Sequence, residues 1–336
     1  MRPLDQELLR GAHTRRELAA GGVGDGELRG PLWVRTNQGL WAWAGSEVGG
    51  GLSPSERIRR VAPLTGDRGA LGGWAAAHLL GHVELDGVGP GETVLPVPLC
   101  LPPSMRCRRT RDVRVVRSDF GEDEVTIVDG VRVTDRVRTA ADLIRFTRPL
   151  GRAVMALDIM LRNEDPRGYP TRPDGPDGAP SAALAGELAG WLHTHHGWRG
   201  IGAARRALDL ARAGVESPQE SRTRMVWVLE AGLPMPGVQV EVYHLDGRFL
   251  GRADMMDRDA GVVTEFDGGY HAGADRRARD HVRREGFQDA GLIVLQFTAV
   301  DLGRARARTV ARMRSAHAQG MARDRRLDRW MVGSAA

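Results

Sequence analysis

The segment VQVEVYHLDGRFLGRADMMDRDAGVVTEFD, Val238 to Asp267, constrains the fold most. It reads as three short strands. The first two are joined at Leu245-Asp246-Gly247, and the connection DRDAG (Asp257–Gly261) leads into the third. Strands joined by turns this short pair antiparallel. The residues Ala253-Asp254 and Glu265-Phe266-Asp267 therefore lie on adjacent antiparallel strands. Ahead of them, ESPQESRTRMVWVLEAGL (Glu216–Leu233) opens on a Ser-Pro helix start and has helical periodicity, ended by Pro234 and Pro236. Behind them come an arginine-rich helical stretch, AGADRRARDHVRREGFQDAG, the apolar strand LIVLQFT (Leu292–Thr298) and a last basic helix, DLGRARARTVARMRSAH. The order is helix, three strands, helix, strand.

Side chains alternate faces along a strand, so Glu265 and Asp267 point the same way. Across the hairpin, Asp254 falls opposite Thr264 or Glu265, and neighbours on one face of a strand pair stand about 5 Å apart. Three converging carboxylates repel unless a positive charge lies among them. A hard divalent cation, Mg²⁺ or Mn²⁺, suits an all-oxygen site. Gly268 and Gly269 let the backbone turn or approach a ligand, and His271 follows where it can position or deprotonate a water. Arg276, Arg279, Arg283 and Arg284 can face phosphates, and Asp280 with Arg283 or Arg284 can brace the site. The plainer reading pairs Glu265 and Asp267 with Arg276 or Arg279 as ordinary salt bridges. His78, His82, His193, His195 and His196 suggest no role.

The rest of the chain supplies two further regions. In residues 1–50, HTRRELAAGG reads as a capped helix with Thr14 as N-cap, Glu17 three residues on and Gly21 as the stop. DGELRG reads as a second short helix, and LWVRTNQGLWAWAG as two strands around Asn37-Gln38-Gly39. Two helices and then a hairpin is the order of a winged helix, in which Arg15, Arg16, Arg29 and Arg35 would meet phosphates; the alternative is a structural cap with Trp33, Trp41 and Trp43 as its core. Residues 51–162 mix helices and strands, with an arginine cluster, RCRRTRDVRVVR, overlapping one strand. Residues 163–181, rich in Pro, Gly and Asp, read as a linker. Connecting helices fill 182–215, the α/β segment runs over 216–320, and 321–336 is a tail.

Composition narrows the function. The 336 residues carry a net charge of +5 and no lysine, so all 48 basic side chains are arginine. Guanidinium grips phosphate with two donors at once, and a basic surface suits nucleic acid; a GC-rich genome also yields arginine-heavy chains. No run of about 18 apolar residues is present, so no membrane span is expected. MRPLDQELLRG lacks the apolar core of a signal peptide. Cys100 and Cys107 form no CxxC, which argues against a zinc knuckle or disulfide framework and for the reducing cytoplasm.

The stretch EFDGGYH, followed by D-x-x-R-R and the GLIVLQFT strand, resembles the nuclease-like domain grouped with the very-short-patch mismatch endonucleases, in the restriction-endonuclease-like superfamily. The resemblance covers about Glu216–Leu302. The expected fold class is α/β, with an N-terminal winged helix and small α/β domain read from the residues above, followed by the restriction-endonuclease-like three-layer α/β/α domain that the resemblance implies. It also implies that Asp254 matches the first metal-binding aspartate, Glu265 and Asp267 the second acidic strand, Glu220 the acidic helix residue and His271 the histidine beyond it. Glu216, four residues before Glu220, would share its helix face. Most of that superfamily has a lysine two residues after the second acid, and Asp267 stands there instead. Arginine, always protonated, is a poor substitute as a base. More distantly, VDGVRVTDRVRTAADLI (Val128–Ile144) and the order of the first elements resemble type IV (abortive-infection) antitoxin regulators, which implies a partner toxin. The expectation is a Mg²⁺- or Mn²⁺-dependent endonuclease acting on DNA in repair or phage defence. The rivals are an antitoxin-like DNA-binding regulator with a degenerate nuclease domain, and an RNA-directed or purely structural module.

Overall fold

The computed structural model describes residues 6–37, 39–47, 51–108, 110–162, 179–267 and 274–333, apart from the side chains of 90, 179–182 and 274–280. Among the described residues the fold is mixed α/β with three sheets. The described residues divide into two compact units, one running to Leu143 and one from Ile144 onward. The helix at 150–161 therefore belongs to the second unit rather than closing the middle region.

The first unit opens with β1 (His13–Thr14) and α1 (Arg15–Ala20). Thr14 accepts the Glu17 N–H, and the Glu17 carboxylate takes the Thr14 N–H in return, the reciprocal cap that the sequence spells out. A single 3-10 turn at Glu27–Arg29 stands where a second helix was expected. Next come β2 (Trp33–Arg35) and β3 (Leu40–Trp43), and β1 joins them in the order β1-β3-β2. Leu18, Val23, Leu28 and Trp33 form the small core, and Trp43 meets Trp33 edge-on at 5.8 Å. Further along lie α2 (Pro54–Val61), β4 (Ala70–Leu71), α3 (Gly73–Leu79), β5 (Val97–Leu101), β6 (Val113–Arg117), β7 (Val125–Val128), β8 (Val131–Thr134) and α4 (Arg136–Phe146). Their sheet has the order β6-β5-β4-β8-β7. Asp129 and Gly130, at φ 49° and 76°, turn β7 tightly into β8.

The second unit begins with α5 (Leu150–Leu161), α6 (Ala179–Thr194) and α7 (Ile201–Leu210). The start of α6 falls inside the expected linker; residues 163–178 lie outside the described ones. Next is α8 (Pro218–Met225), capped by the Ser217 hydroxyl, which accepts the Glu220 N–H. One turn of π-helix, Val226–Glu230, follows and buries Trp227 completely. The strands β9 (Gly237–His244), β10 (Phe249–Asp257) and β11 (Val262–Phe266) form an antiparallel meander. The helix α9 (Ala274–Asp289) then carries the chain to β12 (Ile293–Phe297), parallel to β11. After α10 (Arg306–Met321), a short β13 (Trp330–Val332) pairs with β9, giving the sheet order β12-β11-β10-β9-β13. On one face Val240, Val242, Met256 and Val263 pack with Phe287 of α9. On the other, Met255, Val262 and Phe297 pack with Trp227 and with Met313 and Ala316 of α10. The sheet is thus the middle of three layers.

One buried ion pair ties α5 to α8. Arg224 donates to Asp158 at 2.6 Å and to the Leu210 carbonyl at 2.5 Å, and Asp158 also accepts the Arg212 N–H at 2.8 Å. Both charges are about 1% exposed, and burial works against both, raising the Asp158 pKa and lowering that of Arg224. Replacing both with apolar groups costs little in such cases, whereas removing one strands the other. Asp158→Ala is expected to lower the unfolding free energy by about 3–5 kcal/mol, with most of it recovered by Asp158→Leu combined with Arg224→Met. Urea unfolding of the three proteins measures both effects.

Candidate functional site

The antiparallel ladder between β10 and β11 pairs Asp257 with Val262, Met256 with Val263 and Met255 with Thr264, and there it stops. Continued by one step, the register sets Asp254 opposite Glu265. The ladder ends because the Asp254 carboxylate takes the N–H of Phe266, at 2.9 Å, in place of a strand carbonyl. The alternation along β10 also slips at this point: Ala253 packs with Phe287, while Met255, two residues on, packs with Trp227. On the other side of Asp254, the β9 register brings Gln239, whose φ of 49° is rare for a residue with a side chain. Such departures cluster at functional sites.

The first turn of α8 supplies a further acid. Glu220 accepts the Glu216 N–H at 3.0 Å and the Gln239 side-chain amide at 2.8 Å. Gln239 thus faces the helix, and no local sequence signal marks it. Burial raises the Asp254 pKa most; the Phe266 N–H and the Arg283 charge lower it, the Glu220 and Glu216 charges raise it, and the result is about 6. Glu265, 5% exposed, meets the guanidinium of Arg283 from α9 at 3.0 Å.

The expected trio of Asp254, Glu265 and Asp267 does not gather on one point. Among the described residues no three His, Cys, Asp or Glu side chains are grouped as a metal ion would need. The reason lies in the far edge of β11. Asp267 donates its N–H to the Phe297 carbonyl at 2.8 Å, and its carboxylate accepts from the Gln296 amide at 3.1 Å. Both partners are on β12, on the side of β11 away from Asp254. What comes together is Asp254 with Glu220, whose charge acts on it, and Glu265 with Arg283. His271 lies outside the described residues, as do the side chains of Arg276 and Arg279. Arg284 is half-buried on α9. In the first unit, Arg15 forms a two-pronged pair with Asp25, while Arg16 and Arg35 are exposed.

No known protein-family profile matches the chain. By sequence it is similar to the uncharacterized protein Rv2248 of Mycobacterium tuberculosis strain H37Rv, with 29% identity over 245 residues, 72% of this chain and 81% of that protein. The uncharacterized protein MT2308 of strain CDC 1551 matches to the same extent. Among solved structures, the crystal structure of the RV2827C protein from Mycobacterium tuberculosis aligns with a TM-score of 0.31 and 15% identity, over 60% of this chain and 77% of that one. A likeness that slight carries no argument about fold or site.

The raised pKa of Asp254 makes folding depend on pH. An ordinary aspartate releases its proton near 3.8, and here it does so at about 6. Between those values the unfolded chain has lost this proton and the folded chain keeps it, so stability falls as pH rises through the window and the full cost is present above it. At about 1.4 kcal/mol per unit, part of the side chain meeting solvent, the cost is about 2 kcal/mol. Asp254→Asn, which keeps an acceptor for Phe266, is therefore expected to be about 2 kcal/mol more stable than the native chain near pH 8 and nearly equal to it near pH 4. Denaturant melts at the two pH values test this.

Proposed function

We propose that the second unit is a nuclease core of the restriction-endonuclease-like kind, hydrolysing DNA phosphodiesters with a Mg²⁺ or Mn²⁺ ion held by Asp254 and Glu265. One observation carries the reading: half-buried Asp254, at the point where the β10–β11 ladder parts, keeps its proton to about 6, and the register continued by one step sets buried Glu265 opposite it along the chain. Burial is the largest cause, and the Glu220 and Glu216 charges add to it against the pull of Arg283. The donor set fits such an ion in number and kind, since Mg²⁺ keeps most of its waters and takes one or two carboxylates along with substrate phosphate. When bound, the ion would lower the pKa of a water and neutralise charge on the phosphate.

The chain's own residues have separate tasks in this reading. The Phe266 N–H orients Asp254, Gln239 holds Glu220 so that its charge bears on Asp254, and Gln296 fixes Asp267 at the rim. His271 positions the water or takes its proton, as the resemblance implies. Arg276, Arg279, Arg283 and Arg284 on α9 offer guanidinium to the DNA backbone, and Arg16 and Arg35 offer a second contact from the winged-helix region. The compartment in this reading is the cytoplasm, where Cys100 and Cys107 stay as thiols.

A second reading is an antitoxin-like DNA-binding regulator whose nuclease core has lost catalysis, working with a partner toxin. It is favoured by the Arg283 counter-ion already on Glu265 and by the lack of any lysine in the sequence. Incubating the full chain with supercoiled and linear DNA and either ion separates the two. The nuclease reading expects nicking that Asp254→Ala and Glu265→Ala each reduce by about a hundredfold or more, with DNA affinity kept within about threefold. DNA binding with no nicking of any DNA form, and a salt slope that Arg16→Ala and Arg35→Ala each flatten by about one unit, establishes the regulator instead.

A further inference from the structure

A cavity of about 350 Å³ opens among the helices of the second unit, and none of its lining residues belongs to the proposed nuclease centre. Ile144 at the end of α4, Ala153 on α5, and Gly202 and Ala203 on α7 give it an apolar lining, to which Arg148 and Arg206 add two guanidiniums. No acid lines it among the described residues. The wall is fixed where α7 meets α4. Gly200, at φ 89°, approaches the Arg145 carbonyl oxygen so closely that a Cβ there would fall 2.7 Å from it. Arg145 Nε in turn donates to the Arg199 carbonyl at 3.1 Å. Arg148 is held as well, with Nη1 donating to the carbonyls of Arg145 and Thr147 at 3.0 and 2.8 Å. Its other donors, and all those of Arg206, have no partner among the described residues. Other arginines of this unit are paired with acids, Arg224 with Asp158 and Arg306 with Glu230. Gly202 is a separate sign. A glycine inside a helix costs stability against alanine, and packing does not require one here, since a Cβ would meet no atom within 4 Å. Positions 202 and 206 are four apart and share one helix face, so the missing side chain leaves the space beside Arg206 open.

We propose that this cavity binds a small organic oxyanion, its carboxylate or phosphate on Arg148 and Arg206 and its apolar body against Ile144, Ala153 and Ala203. A guanidinium meets either oxyanion with paired donors. Small-molecule sites hold about 300–1,000 Å³ and are lined mostly by apolar groups with a few placed polar ones, the make-up found here. The site stands apart from the nuclease reading and holds whether or not the second unit cuts DNA.

Isothermal titration calorimetry of the full chain with benzoate, phenyl phosphate, acetate and inorganic phosphate tests the site. The tighter of the two aromatic probes decides between carboxylate and phosphate. It is expected to bind at least about tenfold more tightly than the matching small anion, because burial of its ring adds to the attraction of the charge. Arg206→Ala is expected to weaken that binding by about 10- to 100-fold. Gly202→Leu, which fills the cavity, is expected to abolish it and to leave the fold intact by circular dichroism, since position 202 has room for a side chain. Binding that neither substitution weakens puts the anion elsewhere and overturns the proposal. Failure of both aromatic probes to bind up to about 10 mM overturns it too, as does a small anion that binds as tightly as its aromatic counterpart.

Discussion

The hydrogen bond from the Phe266 N–H to the Asp254 carboxylate is the contact on which the rest of the second unit turns. A main-chain donor that would have continued the β10–β11 ladder is satisfied by a side chain instead. The strands can then part without leaving the donor dry. The parting lets β11 stay paired with β12 alone as far as Asp267. On the other side of Asp254, Gln239 has a positive φ and donates its amide to Glu220. Regular pairing on either side is secured by large apolar residues, with Met256, Val263 and Phe287 on one face and Met255, Trp227 and Phe297 on the other. The irregular part is held within a rigid frame.

Arginine does two jobs in this chain. The composition draws attention to its affinity for phosphate, yet several guanidiniums are structural. Arg224 joins α5 to α8 through Asp158, and Arg138 sits fully buried between Asp142 and Glu124. Arg314 caps the carbonyls of Glu230 and Ala231 where the π-turn ends. A guanidinium can fill these places because its planar fork meets several acceptors at once, which an ammonium does not. Net charge therefore overstates how much of the arginine faces outward. Arg283, bridging a dry carboxylate and open solvent, belongs to both groups.

Much of the fold is legible in the sequence because its signals are local. Thr14 with Glu17 marks one helix start and Ser217-Pro218 another, and the turns at Asp246-Gly247 and Asp129-Gly130 set two hairpins. Two-residue β1, Ala70-Leu71 of β4 and the late edge strand β13 are not legible, since strands that short have no period of their own and exist only through partners far along the chain. The π-turn is hidden as well, because VWVLE carries the same apolar pattern as the helix before it. At the site, Asp254 and Glu265 can be placed from strand spacing. The direction of Asp267 cannot, because Gln296 lies beyond a whole helix. The pairing of Glu265 with Arg283 depends on how α9 packs on the sheet, which no spacing of residues conveys.

The account stands on Asp254 and Glu265 sharing one cation. A crystal of the full chain with a DNA duplex, soaked in Mn²⁺ and measured at the manganese absorption edge, shows where that ion sits. The account expects a single strong anomalous peak within about 2.2 Å of a carboxylate oxygen of each residue. Manganese found only elsewhere, with Glu265 still clasped by Arg283 beside bound DNA, would contradict it.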